Sequence, residues 1–271
     1  MITHRGDVML ELQTCFLSEL GGRKRNEDAC GYWTSDEHCC WVVSDGAGGH
    51  GSGDVASKLV VSTTLKLFST HPSVAPDDAV NLLQAANDAV VTEKTSGATV
   101  DDMHATAVIL LIDRSRALAV WGHVGDTRIY LFRRGRVAYQ TKDHSVVQNM
   151  IDAGYGSVDM IRTHPQRSLL TSAIGSSEAI SLSVSAEPMA IQPGDVFLMC
   201  TDGWWEYVEE PEMERLLDES RSPEEWLAEM GEAIRRRAPV ENDNYTAVCV
   251  KMTEETTIIF PARSRDDAED R

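Results

Sequence analysis

Five glycines fall within the eight positions from Gly46 to Gly53, directly after the apolar run Trp41-Val42-Val43 and the pair Ser44-Asp45. Glycine has no Cβ, so the backbone there can turn sharply or lie close against other groups. Asp45 therefore stands at the end of a strand beside bare backbone, a place from which a carboxylate can hold a metal. The same pattern returns at Val196-Phe197-Leu198-Met199-Cys200-Thr201-Asp202-Gly203. Read singly, an Asp-Gly pair is an ordinary turn. Two on matching strands, joined by Asp126 in Gly125-Asp126-Thr127-Arg128 and Asp243 in Asn242-Asp243-Asn244-Tyr245-Thr246, predict carboxylates converging at one end of a sheet system.

The periodicity of apolar residues predicts the elements around them. Partial alternation from Val8 to Leu20 reads as a strand stopped by Gly21-Gly22, and 29–34 with 39–44 reads as a hairpin leading into the glycine loop. A helix follows with Ala56, Leu59, Thr63 and Leu67 at helical spacing until His71-Pro72, then a second from Asp77 to about Lys94 with Val80, Leu83 and Val90 on its apolar side. Strands over 107–112, 117–121, 129–132 and 136–139 have short connections and are expected as antiparallel neighbours. Residues 143–175 are less regular and read as a surface excursion, where function concentrates. Strands over 180–184 and 195–201 come next, then helical turns over 211–219. Ser222-Pro223-Glu224-Glu225 opens a helix that turns Trp226, Met230, Ala233 and Ile234 to the core, and strands over 245–252 and 256–260 close the series. Two consecutive helices with no strand between them break the rhythm of a parallel sheet. The expected class is α+β, a four-layer α-β-β-α sandwich of two antiparallel sheets flanked by helix pairs.

Charge and cysteine usage narrow the function. With 43 Asp and Glu against 25 Lys and Arg the chain carries a net charge of −18, which repels nucleic acid phosphates and anionic membranes, so neither is expected as a partner. The cysteines show no Cys-x-x-Cys spacing and read as small buried residues in a reducing compartment. No apolar run approaches the roughly 18 residues that would read as a bilayer span, and a cytoplasmic protein without membrane insertion is expected. Gly46, Gly48 and Gly51 match a dinucleotide-binding fingerprint literally. Against that reading, Asp45 would face the pyrophosphate, and a second helix stands where the ribose-binding strand should follow.

Taken in order, Arg23-Lys24-Arg25-Asn26-Glu27-Asp28, Asp45-Gly46-Ala47-Gly48-Gly49-His50, Gly125-Asp126-Thr127-Arg128, Thr201-Asp202-Gly203 and Asp243-Asn244-Tyr245-Thr246 resemble the motif set of the PPM family of metal-dependent serine/threonine protein phosphatases, in its bacterial stand-alone form. The resemblance runs from about residue 13 to 252. It implies the same sandwich fold and hydrolysis of phosphoserine and phosphothreonine by a water bridging two divalent cations, Mg²⁺ or Mn²⁺. By resemblance Asp45 bridges both metals, the Gly46 carbonyl completes one site, and Asp202 and Asp243 hold the other. Asp28 corresponds to an acid that reaches metal-bound water, and Asp126 to one that helps hold a third, weaker ion with Asp202. Arg23 is similar to the arginine that takes the substrate phosphate in a planar fork. Residues 145–171 resemble the variable flap beside the active site of bacterial members.

Two positions depart from the family pattern. Ala47 stands where eukaryotic relatives carry a histidine proposed to protonate the leaving group, and His104 in Met103-His104-Ala105-Thr106 stands where bacterial relatives usually have glycine. His144, in Asp143-His144-Ser145, resembles a catalytic triad only on paper, because contiguous side chains cannot be aimed at one another. His50, His104 and His123 read as structural. The domain expected is a single catalytic unit over 1–260 with a charged tail over 261–271. Expected partners of this monomer are phosphorylated proteins and an opposing serine/threonine kinase. A phosphoprotein-binding pseudophosphatase is the alternative, although three converging carboxylates are costly for a protein that only binds.

Overall fold

A computed structural model describes residues 10–48, 52–96 and 103–254. In chain order these form β1 (Glu11–Glu19), β2 (Ala29–Thr34), β3 (His38–Ser44), β4 (Gly46–Ala47), α1 (Gly53–Thr70), α2 (Pro76–Ser96), β5 (His104–Ala105), β6 (Ala107–Asp113), β7 (Leu118–Val124), β8 (Arg128–Arg133) and β9 (Arg136–Gln140). Then come α3 (Val146–Asp152), α4 (Met160–Thr163), β10 (Ser183–Val184), β11 (Met189–Ala190), β12 (Val196–Cys200), α5 (Asp202–Trp205), α6 (Glu210–Glu219), α7 (Pro223–Arg237) and β13 (Tyr245–Thr253). The expected strand over 256–260, the tail over 261–271 and His50 lie outside the described residues.

One sheet runs β1-β13-β12-β8-β9 and the other β10-β7-β6-β3-β2, with β11 beside β7 and every pairing antiparallel. Because successive side chains of a strand point to opposite faces, the central strands feed two cores at once. Trp41, Val43, Val108 and Leu110 meet Leu131, Phe197, Met199 and Val250 between the sheets. Their neighbours Val42, Ile109 and Leu111 pack outward with Val60, Phe68 and Leu83 of α1 and α2. On the far side Phe132, Leu198 and Cys249 pack with Met213, Trp226 and Met230 of α6 and α7. This double burial is why β3, β6 and β12 read as unbroken apolar runs.

Three expectations require correction. In α1 the buried stripe is Ala56, Val60, Thr64 and Phe68, flanked by Ser57 and Val61; Leu67 is 42% exposed. The Phe68 ring sets that phase by packing edge-on against Trp33, with centroids 5.6 Å apart. The strands β7 and β8 are not neighbours, because residues 125–127 carry the chain from one sheet to the other. Gly125 makes the crossing with φ +95°, where a Cβ would lie 2.6 Å from the Thr106 side chain. Of the strand expected over 180–184, only Ser183–Val184 pairs, opposite His123 and Gly122 of β7.

The N-terminus of α7 forms as its sequence predicts, with the Ser222 side chain accepting from the Glu225 N–H. That cap points Trp226 into the core, where its ring lies edge-on to Phe132 and its Nε1 donates to the Met213 carbonyl at 2.9 Å. Trp226→Ala should therefore lower unfolding free energy by about 3–5 kcal/mol. Chemical denaturation of mutant and parent checks this, and a loss under about 1 kcal/mol would mean that the helix is not tied to the sheet through this ring.

Candidate active site

Loops from both sheets meet at one end of the sandwich, and each predicted carboxylate is placed by its own set of hydrogen bonds. Asp45 leaves β3 and is clamped by Thr106, whose N–H donates to the Asp45 carbonyl at 2.8 Å and whose Oγ1 accepts from the Asp45 N–H at 3.0 Å. Gly46 follows with its N–H on the Glu27 carbonyl, and a Cβ on it would lie 2.0 Å from the Gly53 carbonyl. Only bare backbone lets Gly46 lie so close to Gly53 at the start of α1.

Asp202 is the first residue of α5, so this Asp-Gly opens a short helix and does not make a hairpin turn. Asp126 sits in the crossing between the sheets, where its carbonyl accepts from Trp205 Nε1 at 2.9 Å. Arg128, two residues on, is not directed at Asp126. Arg128 forks instead onto both oxygens of Asp143, at 2.8 and 2.9 Å, and lies 3.5 Å over the Trp205 ring. Asp243 precedes β13 beside Asn244, which ties three chain segments together. Its Nδ2 donates to the Leu20 and Arg25 carbonyls and its Oδ1 accepts from the Glu27 N–H.

Asp45, Gly46, Asp126, Asp202 and Asp243 line one cavity of about 340 Å³, with Arg23 among its walls. Asp28 stands behind that lining, with Oδ2 accepting from Thr201 Oγ1 at 3.0 Å. Arg23 does not point freely into the space. Its Nη2 donates to Asp243 Oδ2 at 2.6 Å in a half-exposed ion pair.

The electrostatics show what these side chains lack. Burial, then the charges of Asp28, Asp202, Asp126 and Asp243, push the Asp45 carboxyl well above its ordinary range. Burial and the charges of Asp126, Glu206, Asp243 and Asp28 do the same to Asp202. Asp126 is pushed up to about 7 by burial and by Asp143, against the pull of Arg128. Asp28 is also pushed up to about 7, by burial first, with the hydroxyls of Thr246 and Thr201 opposing it. Asp28 Oδ1 and Asp202 Oδ1 are buried with no hydrogen-bond partner, an expensive state for a carboxylate unless something cationic meets it.

Among the described residues no three His, Cys, Asp or Glu side chains form a ready-made metal cluster. The oxygen-only donors, the orphaned carboxylate atoms and the mutual repulsion fit hard divalent cations.

Some contributors were not singled out from sequence. Thr106 clamps Asp45, Asn244 joins the loops, and Glu27 lines the cavity. His104 lines it too, directly across the β4–β5 pair from Ala47. The departure of both positions from the family pattern was the available signal. The structural reading of His123 and His144 holds. Their rings stack at 4.5 Å, and His144 Nδ1 accepts from the Gly125 N–H, bracing the turn that carries Asp126. In the segment expected as a flap, Arg162 pairs with Glu210 of α6 and Arg167 with Glu206 at the end of α5.

The family model described as protein phosphatase 2C matches residues 18–237. The serine/threonine phosphatase stp of Listeria welshimeri is 29% identical over 206 residues, covering 74% of this chain and 80% of that protein. The serine/threonine protein phosphatase PstP of Mycobacterium tuberculosis is 33% identical over 165 residues, which is 60% of this chain and 31% of that protein. Among solved structures, the catalytic domain of PstP in complex with two manganese ions superposes with a TM-score of 0.76 at 25% identity, over 90% of this chain and 99% of that one. A match that begins in β1, ends with α7 and takes in four of the five motif segments leaves one assignment: this chain belongs to the protein phosphatase 2C family of metal-dependent serine/threonine phosphatases.

Proposed function

We propose that this phosphatase takes phosphate from phosphoserine and phosphothreonine side chains of proteins with two Mg²⁺ or Mn²⁺ ions in the carboxylate cavity. Asp45 would serve both ions, the Gly46 carbonyl one of them, and Asp202 and Asp243 the other. Asp28 would act through water, and Asp126 would share a third, weaker ion with Asp202. When bound, the ions supply an acidified water and shield the charge of the phosphate. The observation that carries this reading is the crowding of Asp28, Asp45, Asp126 and Asp202, each held above its ordinary pKa by burial and by its neighbours. A pseudophosphatase has no use for that arrangement.

The chain's own groups do the positioning. Thr106 and Trp205 fix the backbone at Asp45 and Asp126, so the carboxylates cannot drift apart to relieve their repulsion. Arg23 and Asp243 are paired at the mouth, and each has a better partner during turnover. Asp243 would hold a dication, and the planar guanidinium of Arg23 would take a phosphate dianion. Ala47 has no proton to give, so solvent protonates the leaving alkoxide unless a neighbouring side chain does. Among the described residues no helix is long and apolar enough to cross a membrane. A single catalytic domain over 1–260 that works as a cytoplasmic monomer against a separate kinase in signal transduction completes the reading.

Phosphate release from a phosphothreonine peptide should require Mn²⁺ or Mg²⁺ and stop in excess chelator. Full turnover in chelator would overturn the metal assignment. Asp202→Asn and Asp243→Asn should each lose on the order of 10²-fold in kcat, the scale of a lost transition-state electrostatic contact. Arg23→Ala should lower kcat/KM by a factor equivalent to about 1.5–3 kcal/mol, through lost phosphate binding. It should leave Mn²⁺ affinity equal or tighter, since Asp243 loses its competing partner; calorimetry that found weaker metal binding would give Arg23 a different role.

The raised carboxyls also predict how metal-free stability depends on pH. Asp28 and Asp126 hold protons up to about 7 in the folded chain and only to about 4 when unfolded. Their contribution is therefore fully present below about pH 4 and is lost as pH rises through 7. The metal-free melting temperature should fall on this account between pH 5.5 and 8, and Mn²⁺ should raise it more at pH 8. Asp126→Asn should raise the metal-free value at pH 8 by a few degrees, at roughly 2–4 °C per kcal/mol. Thermal melts of the four combinations of pH and metal check the sign, which a structural ion pair at Asp126 would reverse.

A further inference from the structure

A second hollow of about 240 Å³ adjoins the carboxylate cavity and shares His104, Leu170 and Ala173 with its lining. Its remaining wall includes Thr171, Ser176 and Glu178. The segment below it is pinned at Ile174 and at the turn that Gly175 makes with φ +93°. Ile174 and Ala105 exchange both backbone hydrogen bonds, and Asn87 Oδ1 accepts from the N–H groups of Gly175 and Ser176. Alternation then buries Ser172 and Ile174 and leaves Thr171 exposed and Ala173 half-buried toward the hollow. The hollow is therefore preformed and polar, and it opens onto the place where a phosphorylated side chain would sit.

Its charge is of one sign. Glu178 makes no ion pair or hydrogen bond through its carboxylate among the described residues; only its N–H is engaged, by Ser176 Oγ. The ammonium of Lys94 lies behind the wall, donating to the Gly175 carbonyl at 2.8 Å and meeting His104 Nε2 at 3.3 Å. The flap cations Arg162 and Arg167 are already paired with Glu210 and Glu206. Around all of this stands a chain of net charge −18, whose field draws basic ligands.

Resting on the phosphatase reading above, we propose that the hollow is a substrate subsite: the polypeptide beside the phosphoresidue passes His104 into it, and Glu178 selects a lysine or arginine there. Extended peptides are recognised in this way, with main-chain contacts giving affinity and a side-chain pocket giving specificity.

The test is the ratio of kcat/KM for phosphothreonine peptides to that for p-nitrophenyl phosphate, which has no flanking chain. The peptides carry one arginine or one glutamate at each position within three residues of the phosphothreonine. In the parent one register should favour arginine. Glu178→Lys should lower the ratio for that peptide by about tenfold, the scale of replacing an attractive charge by a repulsive one, and should raise it for the matching glutamate peptide. Thr171→Trp, at an exposed position, should fill the hollow and lower the ratio for every peptide. The proposal is overturned if Glu178→Lys shifts all peptides alike or none, or if Thr171→Trp leaves the ratios at their parent values. Thermal melts of both variants confirm folding. Parent enzyme that fails to hydrolyse p-nitrophenyl phosphate with Mn²⁺ would instead sink the phosphatase reading itself.

Discussion

Mutual repulsion among buried carboxylates is the constraint on which the rest of the molecule depends. Burial first, and then the charges of neighbours that include Asp28 and Asp126, push Asp45 and Asp202 above their ordinary range, and left to themselves these carboxyls would separate or stay protonated. What prevents separation is backbone. The end of β3 is fastened to Thr106, the crossing at Asp126 to Trp205, and the loop before β13 to residues 20–27 through Asn244. Trp205 and Asn244 lie outside the lining of the cavity and Thr106 within it. Their work is to make the separated arrangement unavailable, so that the remaining relief is a cation.

The supporting ion pairs sort by burial. Arg128 and Asp143 are both fully buried and bonded through two parallel hydrogen bonds; removing either would leave an uncompensated charge in the core. That pair holds its shape whatever the cavity contains. The Arg23–Asp243 pair is half-exposed and uses one hydrogen bond, so it is worth little by itself. A weak pair at the mouth would keep both members near the places proposed for them and would let each exchange its partner.

Much of this was legible in the sequence, and the failures share a cause. The strand-end aspartates were visible because an apolar run followed by Asp-Gly leaves few local alternatives, and Ser222-Pro223 predicted a real helix start for the same local reason. The pairing of β7 with β8 was misread because a short connection normally means a hairpin. Only tertiary context shows that both strands are buried on two faces and belong to different sheets. The stripe of α1 was set one residue off because Leu67 and Phe68 are both apolar, and the Trp33 ring that decides between them lies in a different element. His104 could not be placed from its neighbours, since only the register of β4 with β5 brings it opposite Ala47. Local grammar reported which residues end strands; long-range pairing decided what those ends face.

The crossing at residues 125–127 also explains why the site lies where it does. Asp45 leaves a strand of one sheet, Asp202 follows a strand of the other, and Asp126 rides on the chain between them. A cation shared by Asp45 with Asp202 and Asp243 would therefore tie the two sheets together at their ends. For that tie to have fixed dimensions, the sheets must not slide. The dense apolar layer of Trp41, Leu110, Leu131, Phe197 and Val250 resists sliding because close-packed side chains cannot shift by part of a residue without opening voids. The central core would thus help set the spacing of the carboxylates, although none of its residues lines the cavity. Substitutions there that keep volume but alter shape should disturb the site through the spacing of the sheets before they unfold the chain.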